Sequence, residues 1–210
     1  APAHGGRKAR VDCADPDSEL QRANAVETEP WLRPGSSYGA AASIADKNKI
    51  PYLGVAFAFY GIHQQGLRYL FSPFPKSPDL TRETFLFLDA MIPAAQRPRK
   101  VAPFLERTDW GKEKASGWQS PAKKHGYEIV ASGEYAPGSK DFSDLILKAK
   151  TAGAEAVFAL PSPPDGMTIV KQMKELDLNT KVNLFIRAAD PPVWSQNLSK
   201  DGDYVLLSPG

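Results

Sequence analysis

Residues 141–160, DFSDLILKAKTAGAEAVFAL, place a helical pattern directly before a short apolar run. Phe142, Leu145, Ile146 and Ala149 recur at the i, i+3, i+4 and i+7 spacing of one helix face. This spacing predicts a helix over 141–151. The run 155–160 that follows has the length and apolar character of a buried strand. The stretch therefore predicts a strand that is covered by the helix before it.

The same alternation of helix and strand patterns extends from residue 50 to the end of the sequence. The other predicted strands are 52–57, 100–106, 127–132, 181–186 and 203–208. The other predicted helices are 38–47, 78–91, 111–119 and 167–176. We expect Ser77 to cap the helix that starts at Pro78, and Pro121 to end or kink the helix before it. This order predicts an α/β fold, with right-handed crossovers that build a parallel sheet covered on both faces.

The composition excludes several classes of protein. Lys and Arg number 26 and Asp and Glu 24, a net charge of +2 that does not suggest the basic face of a nucleic-acid binder. The content of 42% hydrophobic and 24% charged residues fits an ordinary globular chain. The apolar runs 50–60 and 154–164 are too short to span a bilayer. The single cysteine, Cys13, rules out an intrachain disulfide.

The loops at the carboxyl ends of the predicted strands are the expected place for a ligand, as in other parallel α/β sheets. These loops are 56–63, 107–110, 161–166 and 187–194, with 35–38 in the same layer. They contain the aromatic residues Phe57, Phe59, Tyr60, Trp110 and Trp194, and they also contain Arg187 and Asp190. Apolar walls with a few polar anchors are typical of a small-molecule site.

Signs of catalysis are weak. The sequence has no dinucleotide or P-loop fingerprint, and its three histidines lack the spacing of metal ligands, so we expect no cofactor and no metal. Residues 35–39, GSSYG, fit the GxSxG pattern in which Ser37 would be a hydrolase nucleophile. The approach 27–34 carries two prolines and three charges, which makes a poor central strand. Cys13 lies between Asp12 and Asp15, which disfavour a thiolate. We therefore expect no enzyme, and a hydrolase built on Ser37 stays the alternative.

Several segments together resemble a known family. GSSYG (35–39), KIPYLG (49–54) and QGLRYLF (65–71) resemble the first lobe of the branched-chain amino-acid type of periplasmic binding proteins. These are the solute-binding subunits of ABC transporters, and they have the type I two-lobed fold. Six further segments resemble the second lobe of that family: RTDWG (107–111), YEIV (127–130), EYAPGSKDFS (134–143), KAKTAGAEAV (148–157), VKQMKEL (170–176) and ADPPVW (189–194). The order and spacing of these segments carry the resemblance.

The resemblance implies two Rossmann-like lobes, of which residues 1–76 form part of the first and 77–210 nearly all of the second. The second lobe is expected to end near the crossover that returns to the first. Family members have a further strand and helix before the first segment and a long return into lobe one after the last. We therefore expect this sequence to be a fragment, or one read incompletely.

The resemblance also implies ligand-binding residues in lobe one. Ser36 and Ser37 match the hydroxyls that hold the ligand's carboxylate, although Ser37 would equally serve as a helix cap. Ala56, Phe57 and Ala58 match the loop after the second strand, where the family often has a threonine at the position of Ala58. Phe57 would equally pack in the core.

In lobe two the resemblance implies four more residues. Trp110 matches the aromatic that closes over the ligand, and as the tryptophan of a glycine-bounded turn it is expected to be exposed. Ser162 lies in a stiff proline-rich loop that contacts the ligand in relatives. Arg187 stands where amino-acid binders commonly have an acidic residue, and it favours a ligand carboxylate or a pair with Asp190. Asp190 matches a site for an ammonium group, or it forms only a turn.

The function that this resemblance implies is that of a periplasmic, monomeric solute-binding component of an ABC importer. Its partners would be the membrane permease and a small carboxylate: a branched-chain or aromatic amino acid, or an aromatic carboxylate. No chemistry, cofactor or nucleic acid is expected. One alternative is a ligand-sensing receptor lobe of the same fold, and the other is an α/β enzyme.

Overall fold

A computed structural model describes residues 36–54, 58–189, 192–203 and 205–208. Its amino-terminal part contains helix α1 (Ser36–Lys47), a 3-10 turn (His63–Gln65) and strands β1 (Tyr52–Leu53) and β2 (Leu70–Phe71). The two strands are parallel, with Tyr52 opposite Leu70. Ala42, Ile62 and Leu70 form a small buried cluster of their own. Phe59 packs both against this cluster and against a larger core of the remaining part, so the two cores adjoin.

The remaining part is a single parallel sheet of six described strands. The strands are β3 (Lys100–Glu106), β4 (Glu128–Ile129), β5 (Gly133–Tyr135), β6 (Ala156–Ala159), β7 (Val182–Ile186) and β8 (Val205–Ser208). Their order is β4–β3–β6–β7–β8, and β5 pairs with the carboxyl-terminal half of β3. Every pairing is parallel. The parallel α/β fold expected from the sequence is confirmed.

Helices cover both faces of this sheet. They are α2 (Ser77–Met91), α3 (Asp109–Lys124), α4 (Ser143–Thr151), α5 (Pro163–Glu175) and α6 (Val193–Leu198). Of the helices in the described ranges, none combines the length and the apolar character that crossing a bilayer requires.

Alternate residues of each central strand pack on opposite faces, as the pleat of a strand requires. In β3, Ala102 and Phe104 join the core under α4, α5 and α6, while Val101 and Leu105 join the core under α2 and α3. The helix face predicted from residues 142, 145, 146 and 149 is buried in the first of these cores. Two layers of helix on one sheet account for the near-continuous apolar runs of the strands.

Strand β3 has the predicted bounds, whereas two neighbouring predictions are wrong. The run 127–132 is not one strand: only β4 (Glu128–Ile129) lies within it and pairs with the start of β3 at Lys100, while β5 begins just after the run and pairs with the end of β3 at Glu106. Helix α3 does not end at residue 119 but continues through Pro121 to Lys124. Pro121 lies in the last turn, where its missing N–H costs one hydrogen bond, and the His125 N–H closes the following turn on the Pro121 carbonyl at 3.0 Å.

The predicted cap at Ser77 is also wrong. The helix begins at Ser77 itself, the residue before it is Lys76, and no side chain caps the first turn. The Ser77 hydroxyl is buried and donates instead to the carbonyl of Ala58 at 3.0 Å. A serine before a proline is typical of a helix cap, but here the Ser77 hydroxyl bonds to the distant Ala58 carbonyl and not to its own helix.

Helix α5 starts at Pro163, four residues before the predicted start, because the Ser162 side chain accepts the N–H of Asp165 and caps it. Helix α6 was not predicted. Of the predicted strand 52–57, only Tyr52–Leu53 is strand in the described ranges, and residues 55–57 lie outside them.

Candidate functional site

The strand order places a topological switch point between β3 and β6. The chain leaves β3 for β4 and β5 on one side and then crosses to β6 on the other side. Ligands of open parallel sheets bind in the crevice at the carboxyl ends of the strands at such a point. Glu106 is the last residue of β3, Leu160 follows β6 and Arg187 follows β7. The three residues therefore meet at the edge where a ligand is expected.

The guanidinium of Arg187 joins these strand ends. Its Nη2 donates to Oε1 of Glu106 and to the carbonyl of Leu160, both at 2.7 Å. The same guanidinium lies 4.6 Å from the centroid of the Trp110 ring, within the range of a cation–π contact. The expectation that Arg187 marks this site thus gains a defined geometry. Its predicted alternative partner, Asp190, lies outside the described residues.

The backbone of Arg187 is strained. Its φ of +76° lies in the left-handed region, which a residue with a side chain rarely adopts. Such conformations persist where the surrounding structure holds them, and they are concentrated at functional sites. Here three contacts hold the side chain, and 31% of it stays exposed at the surface.

Glu106 is buried, with 6% of the residue exposed. Burial raises the pKa of Glu106, and the charge of Arg187 opposes that rise. Burial likewise raises the pKa of Tyr135 well above its ordinary value, and the negative charge of Glu106 adds to the effect. Among the described residues, neither the Tyr135 hydroxyl nor the Nε of Arg187 has a hydrogen-bond partner. The site therefore holds two buried donors that lack an acceptor.

A second buried carboxylate lies nearby, on the first turn of α5. Oδ2 of Asp165 accepts the N–H of Gly138 at 3.0 Å, and the residue is 2% exposed. Its negative charge contributes to the raised pKa of both Glu106 and Tyr135. Asp165 is thus engaged by the backbone of the loop after β5.

Trp110 is a wall of this site but not an exposed one. The residue is 9% exposed, so the expected exposure of this tryptophan is wrong. Its Nε1 donates to Oγ of Ser77 at 3.1 Å, and the Arg187 guanidinium lies over its ring. The glycine after it explains the burial, because a Cβ on Gly111 would lie 1.9 Å from the Glu106 carbonyl. Helix α3 therefore starts directly against the end of β3 and carries Trp110 inward.

Two contacts tie the amino-terminal part to α2 and α3. The Ala58 carbonyl accepts both the N–H and the hydroxyl of Ser77, at 2.8 and 3.0 Å. The Glu113 carboxylate accepts the N–H groups of Tyr60 and Gly61, both at 2.9 Å. These contacts fix the loop after residue 57 close to Trp110.

Lys114 is fully buried beneath Trp110. Its Nζ lies 6.0 Å from the centroid of the Trp110 ring and 5.9 Å from that of Trp118. Among the described residues this nitrogen has no hydrogen-bond partner, and neither has the Nε1 of Trp118. Burial lowers the pKa of Lys114 to about 7, and the charge of Glu113 opposes that shift.

The structure brings together only some of the predicted site residues. Trp110 and Arg187 are in contact, while Ser162 is a half-buried helix cap and Ala58 is buried. Ser36 and Ser37 open α1, and their side chains are not among those described. Ala56, Phe57 and Asp190 lie outside the described residues.

Sequence reasoning did not single out Glu106, Tyr135, Asp165, Ser77 or Lys114. One signal was available: Glu106 follows five apolar residues of its strand, at the end where ligands bind. No group of three or more metal-ligating side chains is found within the described ranges.

Comparisons with known proteins show the family to which the chain belongs. The family model described as "Periplasmic binding protein" matches residues 33–209. A curated relative, the Leu/Ile/Val-binding protein homolog 8 of Brucella abortus, is 22% identical over 140 residues, which are 65% of this chain and 35% of the relative.

Two solved structures with the same fold differ in their ligand. One is the branched-chain amino-acid transporter substrate-binding protein LivJ of Streptococcus pneumoniae, in complex with isoleucine. Its TM-score is 0.69 at 17% identity, and the match covers 88% of this chain and 52% of the LivJ chain. The other is a solute-binding protein of an ABC transporter from R. palustris, in complex with 4-hydroxybenzoate. Its TM-score is 0.68 at 16% identity, and the match covers 90% of this chain and 53% of that protein.

The crevice at the switch point of a doubly wound sheet is where open α/β folds bind their ligands. The chain belongs to the periplasmic binding proteins, with the type I fold of the branched-chain amino-acid group. It spans about a third of the length of the curated relative, at 35%, and about half of the solved structures. Membership of this family implies a periplasmic or extracellular location.

Proposed function

We propose that this chain is the solute-binding component of an ABC importer and binds a small carboxylate-bearing ligand. The observation that carries the proposal is the Arg187 guanidinium, which stands at the switch point of the sheet against the Trp110 ring. An arginine fork matches a carboxylate in geometry and charge, and an indole ring offers an apolar wall. A cation beside an aromatic wall suits a ligand with an acidic end and an apolar body.

Two unpaired donors support the same ligand class. The Nε of Arg187 and the hydroxyl of Tyr135 are buried and lack an acceptor among the described residues. Buried donors without partners cost free energy, which an incoming acceptor recovers. Isoleucine and 4-hydroxybenzoate, the ligands of the two similar structures, both carry a carboxylate. The candidate ligands are thus branched-chain or aromatic amino acids and aromatic carboxylates.

The binding site lies, in this proposal, between a partial lobe of residues 1–76 and a second lobe of 77–210. The small buried cluster of Ala42, Ile62 and Leu70 supports such a division. The contacts of Ser77 and Glu113 with the loop 58–61 would then join the lobes near the ligand. Ser36 and Ser37, at the start of α1, and the loop of Ala56 and Phe57 would complete the site from lobe one. Ligand binding would shift the population toward a closed arrangement.

The proposed partner is the membrane permease of the importer, and the proposed location is the periplasm. We propose that the chain performs no chemistry on its ligand, in line with the names of its relatives, which are those of binding proteins. Hydrolysis of p-nitrophenyl esters by the wild type, lost in Ser37→Ala, would instead establish the hydrolase alternative.

The test is a thermal-shift panel of leucine, phenylalanine, 4-hydroxybenzoate, succinate and glucose. A ligand at about a hundred times its dissociation constant adds about 2.7 kcal/mol to the free energy of unfolding, which raises the melting temperature visibly. We expect a rise with at least one monocarboxylate and none with glucose. The proposal would be overturned if glucose alone raised the melting temperature, or if no compound of the panel raised it.

Arg107 provides the matched control for Arg187. It is an exposed arginine one residue beyond Glu106, 4.0 Å from the carboxylate of Glu134. Arg107→Met should keep the ligand-induced rise, and Arg187→Met should lose most of it. Equal loss in both variants would show that charge in general, and not Arg187, attracts the ligand.

A further inference from the structure

The surroundings of the Arg187 guanidinium form a site for a positive charge. Its contacts are the buried Glu106 carboxylate at 2.7 Å, the Leu160 carbonyl at 2.7 Å and the face of the Trp110 ring at 4.6 Å. A carboxylate, a carbonyl and an indole face are the groups by which proteins recognise an ammonium. Arg187 therefore fills a cation site from within the chain.

We propose that Arg187, by occupying this cation site, excludes ligands with an α-ammonium group. The chain then binds monocarboxylates that lack an amino group rather than amino acids. The proposal rests on the function proposed above and narrows its ligand class. An amino acid would bring its ammonium next to the Arg187 cation, with the Glu106 carboxylate and the Leu160 carbonyl already engaged. A simple carboxylate brings no ammonium to the site, and the Nε–H of Arg187, which has no acceptor among the described residues, is a donor for it.

The other described carboxylate of the site does not offer a replacement. Asp165 is 2% exposed, and its Oδ2 already accepts the Gly138 N–H at 3.0 Å. The backbone φ of +76° at Arg187 also favours a fixed role, since such strained conformations persist where the surrounding structure holds them. In this structure Arg187 thus fills the cation site, and Asp165 offers no second one.

The experiment compares matched compounds by isothermal titration calorimetry of the whole chain. One series is 3-phenylpropionate, phenylalanine and phenethylamine, and the other is 4-methylpentanoate, leucine and isoamylamine. Within each series the apolar group is shared, while the carboxylate, the ammonium or both are present. In the wild type we expect at least one simple carboxylate to bind about tenfold or more tightly than its amino acid, because an unpaired ammonium loses its hydration without a partner.

Arg187→Met should invert this preference. The variant exposes the Glu106 carboxylate and the Trp110 face, so phenethylamine or isoamylamine gains measurable affinity while the carboxylates lose about tenfold. Arg107→Met should behave as the wild type does. Asp190→Asn tests the other possible ammonium partner, and we expect it to leave the preference unchanged.

The wild-type comparison decides the proposal even if Arg187→Met fails to fold. Equal or tighter binding of leucine or phenylalanine would overturn this inference while leaving the proposed solute-binding function intact. Amino-acid binding that is lost in Asp190→Asn would overturn it and assign the ammonium to Asp190. Binding of no carboxylate in either series or in the thermal-shift panel would overturn both proposals.

Discussion

The guanidinium of Arg187 lies 4.6 Å from the centroid of the Trp110 ring, although 77 positions separate the two residues along the chain. Arg187 follows β7, and Trp110 stands in the first turn of α3. The strand order brings these elements to one edge of the sheet, where the end of β3 supplies Glu106. The contact thus joins three segments at the point where parallel sheets bind ligands.

The hydrogen bond from Trp110 to Ser77 predicts a specific loss of stability. Ser77→Ala leaves the indole N–H buried without its acceptor and removes the hydroxyl that donates to Ala58. We expect the free energy of unfolding to fall by about 1–3 kcal/mol in urea. The control is Ser116→Ala, because Ser116 is an exposed residue of α3 whose hydroxyl bonds within its own helix. This variant should change the free energy of unfolding by no more than about 0.5 kcal/mol. Equal effects would show that the Ser77 contact contributes nothing particular.

The buried Lys114 predicts an unusual dependence of stability on pH. Its folded pKa of about 7 lies below the ordinary value of 10.5, so between these two values the unfolded chain binds a proton that the folded chain has released. Stability must therefore rise with pH across this window. From pH 7 to pH 9 the wild type should gain about 2 kcal/mol relative to Lys114→Met.

The same variant should be more stable than the wild type at pH 7. Lys114→Met fills the space with an apolar side chain and removes a buried nitrogen that has no partner. We expect the free energy of unfolding to rise by about 1–3 kcal/mol as a result. Lys112→Met, in an exposed position of the same helix, supplies the control with no such gain. A difference between wild type and Lys114→Met that stays constant from pH 7 to pH 9 would contradict the lowered pKa.

Gly111 should tolerate no side chain. A Cβ there would lie 1.9 Å from the Glu106 carbonyl, and this backbone atom has no room to move without shifting β3 or α3. Gly111→Ala should destabilise the chain by about 3 kcal/mol or more and weaken carboxylate binding, because Trp110 and Glu106 move apart. Gly39→Ala, in a helix where the nearest atom is 3.9 Å away, should be neutral or stabilising by about 0.5–1 kcal/mol.

The Glu113 carboxylate should protect two amides of the loop from exchange. It accepts the N–H groups of Tyr60 and Gly61, and Glu113→Ala leaves both to water. Hydrogen exchange at these two amides should accelerate by about tenfold or more, with amides of β6 unchanged. Glu175→Ala, an exposed position on α5, should change neither set. Unchanged exchange at Tyr60 in the Glu113 variant would show that the loop is held by other contacts.

The periodicity of the sequence predicted most of the fold. The alternation of amphipathic helices with short apolar runs located β3 with correct bounds, and it located β6, β7 and α4 within one or two residues. Predictions were wrong where a distant contact overrode local chemistry. Ser77 bonds to Ala58 and not to its own helix, and the strand predicted over 127–132 ends at Ile129, because β3 pairs next with residues 133–135.

The candidate site was predictable only in part. Arg187 and Trp110 could be assigned to the ligand edge because each follows a predicted strand. Their mutual contact and the pairing of Arg187 with Glu106 depend on the order of the strands in the sheet, which the sequence pattern alone does not specify. The burial of Lys114 was equally hidden, because a lysine on a helix is usually exposed.

The most direct test of a carboxylate at Arg187 is a titration of the nitrogen-15-labelled chain with 3-phenylpropionate and then with 4-hydroxybenzoate, followed by NMR. The signals of interest are the Nε–H of Arg187, identified through its loss in Arg187→Met, and the indole N–H of Trp110. A carboxylate bound at the switch point predicts saturable shifts of both signals, with the indole N–H of the buried Trp118 unmoved. Saturable shifts confined to other signals, or no shift with either compound, would contradict the account.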